Sequence, residues 1–284
     1  MSKHTFNIQH ETAWCPGCGN FSILDCLKTA LEELDKDPYE ILMVAGIGQA
    51  AKTPQYIDSN YFCGLHGRAL PAAAAAKIAN DTLTVIINTG DGDSYGEGGN
   101  HFLHNIRRNV DITHFVHDNQ VYGLTKGQSS PTTDEGQVMD VQVDGNIIEP
   151  LNPVLTAIAA GAGFVARAFS GNKVHLVSMM KQAIEYKGYA LVDIFQPCVS
   201  FNKVNTFAYY NQRVYELDDR YNSGNKTAAL VKAMEHGDKI PIGVIYKESK
   251  KTYHQKNSVL KNGGPLLDRK TKPAEIGKLI KEFI

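Results

Sequence analysis

Two stretches of this sequence set side chains and glycines where they could do chemistry. The first is NTGDGDSYGEGGNHF, in which Asp91 stands between Gly90 and Gly92 at the end of an apolar run. Glycines at such a point let backbone N–H groups approach a phosphate. A carboxylate between them would repel a bare diphosphate but suits one carrying a divalent cation, because Mg2+ takes oxygen ligands in an octahedron. The downstream stretch HDNQVYGLTKGQSSPTT offers the side-chain carbonyl of Asn119 and the backbone carbonyl of Val121. With Asp91, two diphosphate oxygens and a water, these complete six oxygens. The second stretch is AWCPGCGN, which sets Cys15 and Cys18 in a tight turn. Their spacing alone leaves zinc, an iron–sulfur cluster, a disulfide or no partner open.

The glycine-rich stretch is not a nucleotide P-loop, since G-x-x-x-x-G-K-[ST] is absent, and GDGDSYGEGG lacks the dinucleotide-binding spacing. The elements that must position Asp91 and Asn119 follow from the hydrophobic pattern. Residues 41–46, 83–90, 111–118, 163–169 and 189–196 are continuous β-rich apolar runs, the pattern of strands covered on both faces. Helical patterns lie between them. One starts at Asn20 as its cap, others follow at 69–81 and 100–109, and a fourth has Asn152 as cap and Pro153 at its first position. A fifth, from Lys173, ends at Gly188 as its C′ residue. Alternation of this kind predicts an α/β fold with a doubly wound, mostly parallel sheet, whose ligands bind at the carboxyl ends of strands. Gly90–Gly92 and Asp118–Asn119 stand at two such ends. The composition shifts after about Val204, which divides the chain into residues 1–204 and a C-terminal extension, 205–284.

With 284 residues, 43% hydrophobic and 21% charged, the composition is that of an ordinary globular protein. A net charge of −1 gives no general reason to expect nucleic acid or an anionic membrane as partner. MSKHTFNIQHETAW has no apolar core of a signal peptide, and PVLTAIAAGAGFVARAF is interrupted by Arg167, which favours a buried helix and strand over a membrane span. Five cysteines in a chain of this length make no disulfide framework, so the expectation is a cytoplasmic protein with reduced or metal-bound thiols. From Lys247 onward ten Lys/Arg face four Asp/Glu, a local charge of +6 by difference. That segment reads as a solvated extension or as a docking surface for an acidic partner.

Gly-Asp-Gly followed by Asp-Asn is the paired signature of the thiamine-diphosphate fold. CPGCG, GIGQAAKTP, GLHGRALP, GDGDSYGEGGNHFLHNIRRNVDI, HDNQVYGLTKGQSSPTT and DIFQPCVSFNK occur here in that order. Over roughly residues 10–205 the chain resembles the β subunit of the 2-oxoacid:ferredoxin oxidoreductases. The resemblance implies that Asp91, Asn119 and the Val121 carbonyl hold Mg2+. It implies that Gly90, Gly92, Asp93, Gly123, Leu124 and Thr125 surround the diphosphate, with Ile47, Gly48, Gln49, Ala50 and His66 approaching from neighbouring loops. His66 and Lys126 become candidates for catalysis. It implies oxidative decarboxylation of a 2-oxoacid, with acyl transfer to coenzyme A and electrons passed singly to ferredoxin. A partner α subunit would carry the pyrimidine-side domain, which a chain of this length is too short to hold as well. In the family, four cysteines hold a [4Fe–4S] cluster. Cys15, Cys18 and Cys198 match three of them, and Gln49 stands where the fourth would be, so the cysteine set is incomplete. Cys26 and Cys63 match no ligand position, although Cys63 could substitute. Two other readings stand beside this one: a non-oxidative thiamine-diphosphate decarboxylase or synthase subunit, and a zinc-containing binding protein without catalysis.

Overall fold

The computed structural model describes residues 4–270 and 273–284. Eight strands form one sheet: β1 (Ile41–Ala45), β2 (Asn60–Cys63), β3 (Thr84–Gly90), β4 (Ile112–Asp118), β5 (Phe164–Phe169), β6 (Tyr189–Phe195), β7 (Val214–Glu216) and β8 (Ile240–Lys247), in the order β2-β1-β3-β4-β6-β5-β8-β7. All pairs are parallel except β5 with β8. The register sets Gly90 opposite His117 and Asp118 opposite Phe195, so β3, β4 and β6 end side by side.

Helices cover both faces. Alternate residues of β3 point to opposite sides: Ile86 joins one core, with α1 (Gly19–Glu33) and α5 (Lys173–Glu185). Val85 and Ile87 join the other, with α2 (Ala69–Ala79), α3 (Gly99–Arg108), α4 (Pro153–Ala160) and α7 (Lys226–Ala233). Burying each such aliphatic side chain contributes about 1.5–3 kcal/mol, which fixes the strand ends beneath the loops that follow them. Residues from 205 onward add α6 (Phe207–Arg213), β7, α7 and β8 to the edge of the same sheet. Beyond them lie α8 (Tyr253–Lys256) and α9 (Pro273–Lys281). No helix among the described residues is long and apolar enough to cross a membrane.

Three expectations are corrected. The first helix is capped by Cys18 rather than Asn20: Asn20 lies in its first turn, buried, with Oδ1 2.8 Å from His117 Nδ1. The helix from Lys173 stops at Glu185, where Tyr186 turns extended to send its hydroxyl to the Glu248 carbonyl. Gly188 is therefore outside the helix, its N–H donating to Asp111 Oδ1. The strands β2, β7 and β8 were not expected. β8 carries Pro241 and Gly243 inside its apolar run, the residues that ordinarily demote a strand, and it is tolerated near the sheet edge.

Candidate cofactor-binding site

At the carboxyl ends of β1, β2, β3 and β4 four loops enclose one cavity. The loop after β1 contributes Ile47, Gly48, Gln49 and Ala50, and that after β2 contributes His66. Gly90–Asp93 line it from the end of β3, and Asn119 with Val121–Thr125 from beyond β4. The structure thus gathers every residue that the sequence pointed to for cofactor and Mg2+, together with His66 of the two candidates for catalysis but not Lys126. Lys126 lies exposed on the 123–127 turn with φ 78°, outside the lining.

Asp91 is 1% exposed. Its Oδ2 accepts from the hydroxyls of Ser130 and Thr132, the latter at 2.8 Å. Burial pushes its carboxyl above the usual range, against the pull of those two hydroxyls and of nearby backbone N–H groups. Thr132 Oγ1 is also 2.8 Å from Asp118 Oδ1, and its single proton can serve only one carboxylate at a time. Asp118 and Asp193 are buried in turn. Burial raises Asp118 well above a normal carboxyl, and the Asp193 and Asp91 charges raise it further. Asp193 is pushed up to about 6 by burial, while the Tyr95 hydroxyl, 2.7 Å away, and Arg167 oppose the rise. Arg167 is also buried: Nη2 donates to the Ala233 carbonyl at 3.1 Å, and Nε and Nη1 have no hydrogen-bond partner. The strand ends thus carry three buried acids against one buried guanidinium beneath the cavity. Burial favours their protonated forms, and a cation arriving there would take the protons' place.

Asp93 does a different job. Its Oδ1 accepts from the N–H groups of Gly67 (2.7 Å) and Ile47 (3.2 Å) and lies 3.1 Å from His66 Nδ1, so one carboxylate ties two loops to the third. A Cβ on Gly46 would come within 2.2 Å of Asp93 Oδ2, so that loop can close on the carboxylate only as glycine. Gly92 is equally constrained, since a Cβ there would stand 2.2 Å from the ring of Tyr122. The Tyr122 hydroxyl in turn donates to Glu97 Oε2 at 3.1 Å.

A second cavity adjoins the first and shares Gln49, Asn119 and Gly123 with it; Cys15, Cys18 and Cys198 line it together with Trp14 and Gln196. The Cys18 sulfur accepts from Gln196 Nε2 at 3.5 Å and from the backbone N–H of Asn20. Burial nevertheless pushes its thiol up to about 11. Among the described residues no three His, Cys, Asp or Glu side chains already stand together as a metal-holding group. Cys26 is buried in α1, with its sulfur 3.6 Å from the Lys173 carbonyl, and Cys63 is exposed at the end of β2; neither lines the cavity.

Comparison with known proteins decides what this arrangement is. The family model for the thiamine pyrophosphate enzyme C-terminal TPP-binding domain matches residues 42–194. The model for the C-terminal part of the pyruvate ferredoxin oxidoreductase β subunit matches residues 198–262. A 2-oxoacid:ferredoxin oxidoreductase subunit β of Saccharolobus solfataricus is 43% identical over 257 residues, covering 86% of this chain and 84% of the relative. The chain belongs to the 2-oxoacid:ferredoxin oxidoreductase β-subunit family. A 2-oxoglutarate oxidoreductase subunit of Mycobacterium tuberculosis is 40% identical over 197 residues, 69% of this chain and 53% of the relative. Among solved structures, a 2-oxoglutarate:ferredoxin oxidoreductase from Magnetococcus marinus, with 2-oxoglutarate, coenzyme A and succinyl-CoA bound, superposes with a TM-score of 0.87. It is 33% identical and covers 100% of this chain and 92% of that one.

As a β subunit of this family, the chain is a thiamine-diphosphate-binding protein with an α subunit as partner. The zinc-only reading leaves the matched thiamine domain without a purpose. The cavity fits the cofactor on its own terms: a buried carboxylate, two carbonyl oxygens and the four glycines Gly48, Gly90, Gly92 and Gly123 lie around one opening. In the sequence alone Ser130 and Thr132 had no visible task, and Arg167 spoke only against a membrane span. Tyr122 and Asp193, and the charge on Asp118, went unread, because their work depends on strand ends that meet only in the folded sheet.

Proposed function

We propose that this β subunit, with its α partner, catalyses oxidative decarboxylation of a 2-oxoacid, forming acyl-CoA and CO2 and reducing ferredoxin. The convergence of Asp91, Asn119 and Val121 at the ends of β3 and β4, over the excess of buried acid, carries the reading. Asp91 supplies the one formally charged protein ligand to Mg2+, and Asn119 and the Val121 carbonyl supply two neutral oxygens. Gly90, Gly92 and Gly123 leave room for a diphosphate beside the backbone. Bound there, thiamine diphosphate supplies the carbon nucleophile that attacks the 2-oxo group. His66 Nδ1 lies 3.1 Å from Asp93 Oδ1 and 3.3 Å from Glu97 Oε2 without a hydrogen bond to either. The ring stands at the mouth of the cavity, where an imidazole can hold or pass a proton. Cys15, Cys18 and Cys198 would hold an iron–sulfur cluster beside the cofactor, as the one-electron acceptor that ferredoxin reduction needs. Ile47 and Leu124 line the cavity yet stay exposed, at 40% and 45%. That apolar rim is where the α partner closes the site and excludes water.

The test is turnover of pyruvate, 2-oxoglutarate and branched-chain 2-oxoacids with ferredoxin and coenzyme A, under anaerobic conditions, by the co-purified subunits. Turnover of any of these that requires both subunits is the expected result. Decarboxylation independent of an electron acceptor, or turnover with an artificial dye by this chain alone, would overturn the proposal.

A further inference from the structure

The thiol cavity holds three cysteines and, where a fourth ligand is needed, an amide. Cys18 heads the fifteen-residue helix α1, and two N–H donors point at its sulfur, one from Asn20 and one from Gln196. Gln49 faces the same space. Its backbone carbonyl accepts from Trp14 Nε1 at 2.9 Å, which anchors the residue. Its side-chain Oε1 is buried and has no hydrogen-bond partner. A buried acceptor left unpaired next to three thiols is an oxygen donor waiting for a ligand.

Building on the reading of this chain as an electron-transferring thiamine subunit, we propose that its cluster is site-differentiated. Cys15, Cys18 and Cys198 hold three irons, and the fourth iron faces Gln49, whose Oε1 is its only protein donor. An amide oxygen binds iron far more weakly than a thiolate does. The fourth iron is therefore the one that leaves on oxidation: [4Fe–4S]2+ gives [3Fe–4S]+ and Fe2+, and the one electron released passes to an added oxidant such as ferricyanide. Ferrous iron and a reductant reverse the step.

The experiment uses the co-purified α and β subunits, reconstituted anaerobically with iron and sulfide, as wild type, Gln49→Cys and Gln49→Ala. Iron and sulfide are counted before and after one equivalent of ferricyanide, with EPR on each sample. Thiamine-diphosphate binding with Mg2+ is measured on the same preparations by calorimetry. The wild type should lose one iron in four and gain the near-isotropic EPR signal of an oxidised three-iron cluster. Gln49→Cys should keep its iron and stay silent, and Gln49→Ala should lose the iron faster than wild type. Wild type that retains all its iron as Gln49→Cys does would overturn the proposal, as would wild type that takes up zinc or no metal. In either case intact thiamine-diphosphate binding shows that the cofactor reading survives, whereas its loss in every preparation shows that the cofactor reading itself has failed.

Discussion

The two adjoining cavities offer different ligand chemistry, carboxyl groups in one and thiols in the other. Beneath the proposed Mg2+ ligands the fold has already buried its acids: Asp91, Asp118 and Asp193 stand against Arg167, and burial raises all three carboxyls. In the thiol cavity burial pushes the Cys18 thiol up to about 11, so that it ionises as a metal takes the proton's place. Their supports differ too. Asp91 follows a fully paired central strand and rests on two hydroxyls, whereas Cys15 and Cys198 lie on loops at the rim. One site rests on the ends of central strands, and the other on the loops that border them.

The severest blow to the preformed site is Asp91→Ala. Removing the only charged ligand should cost about 3 kcal/mol or more, roughly a 100-fold loss of Mg2+-dependent thiamine-diphosphate affinity by calorimetry. Asn119→Ala should cost on the order of 10-fold, since water can replace a neutral oxygen. Affinity in Asp91→Ala equal to wild type would break the contrast between the two cavities.

Gly92→Ala comes next. Its new Cβ meets the Tyr122 ring at 2.2 Å, and overpacking of this kind costs about 1–3 kcal/mol. The loss should appear in both thermal stability and cofactor affinity, and Tyr122→Ala in the same chain should recover most of it. If the double variant were no better than the single one, the ring would not be what excludes a side chain at Gly92.

The pH response separates the preformed core from its surroundings. Burial pushes His114 and His117 down to about 3, so the folded protein keeps both neutral. The unfolded chain takes up those protons below about pH 6.5, and stability should fall as pH drops from there toward 3. Asp193 acts in the opposite direction between about pH 4 and about 6, because its raised carboxyl binds a proton more readily when folded. Asp91, Asp93 and Asp118 are raised by burial as well and act with Asp193, so the histidine contribution is read as a difference between variants. His117→Asn should gain stability relative to wild type as pH drops from 7 to 5, and an unchanged difference would count against a neutral buried ring at 117.

The smallest effect is expected at Lys126. Lys126→Gly relieves a left-handed backbone (φ 78°) and should raise stability by about 1 kcal/mol. Cofactor affinity should stay within about twofold, because the side chain lies off the cavity. A fall in turnover alone, with affinity intact, would assign the amine to the reaction in the assembled enzyme.

The legible part of the fold was the part with period. The central strands are continuous apolar runs, and each was readable to within a residue or so at either end. β2 is four exposed residues, too short to show alternation. α1 begins at Cys18 because His117 draws Asn20 inward, a contact between residues 97 positions apart that no local cap rule contains. The site was legible where chemistry demands a rare residue type, such as Asp between glycines or Cys after Pro. It was illegible where an ordinary residue gains its purpose from the sheet. Arg167 in β5 meets the field of Asp193 in β6 only because those strands lie side by side.

Gln196 reaches toward both cavities at once. Its Nε2 donates to the Cys18 sulfur, and its Oε1 accepts from Asn119 Nδ2 at 3.3 Å. A single buried amide thus spans the gap between the thiols and a ligand of the Mg2+ site, and it cannot turn toward one without loosening its hold on the other. Any coupling of the two cavities that this amide carries would be reciprocal. Whatever factor a filled thiol site applies to the affinity for Mg2+ and its diphosphate, the filled diphosphate site returns to the thiols. Loss of a metal from the thiol cavity would then be felt as a change in how firmly its neighbour holds its own cofactor.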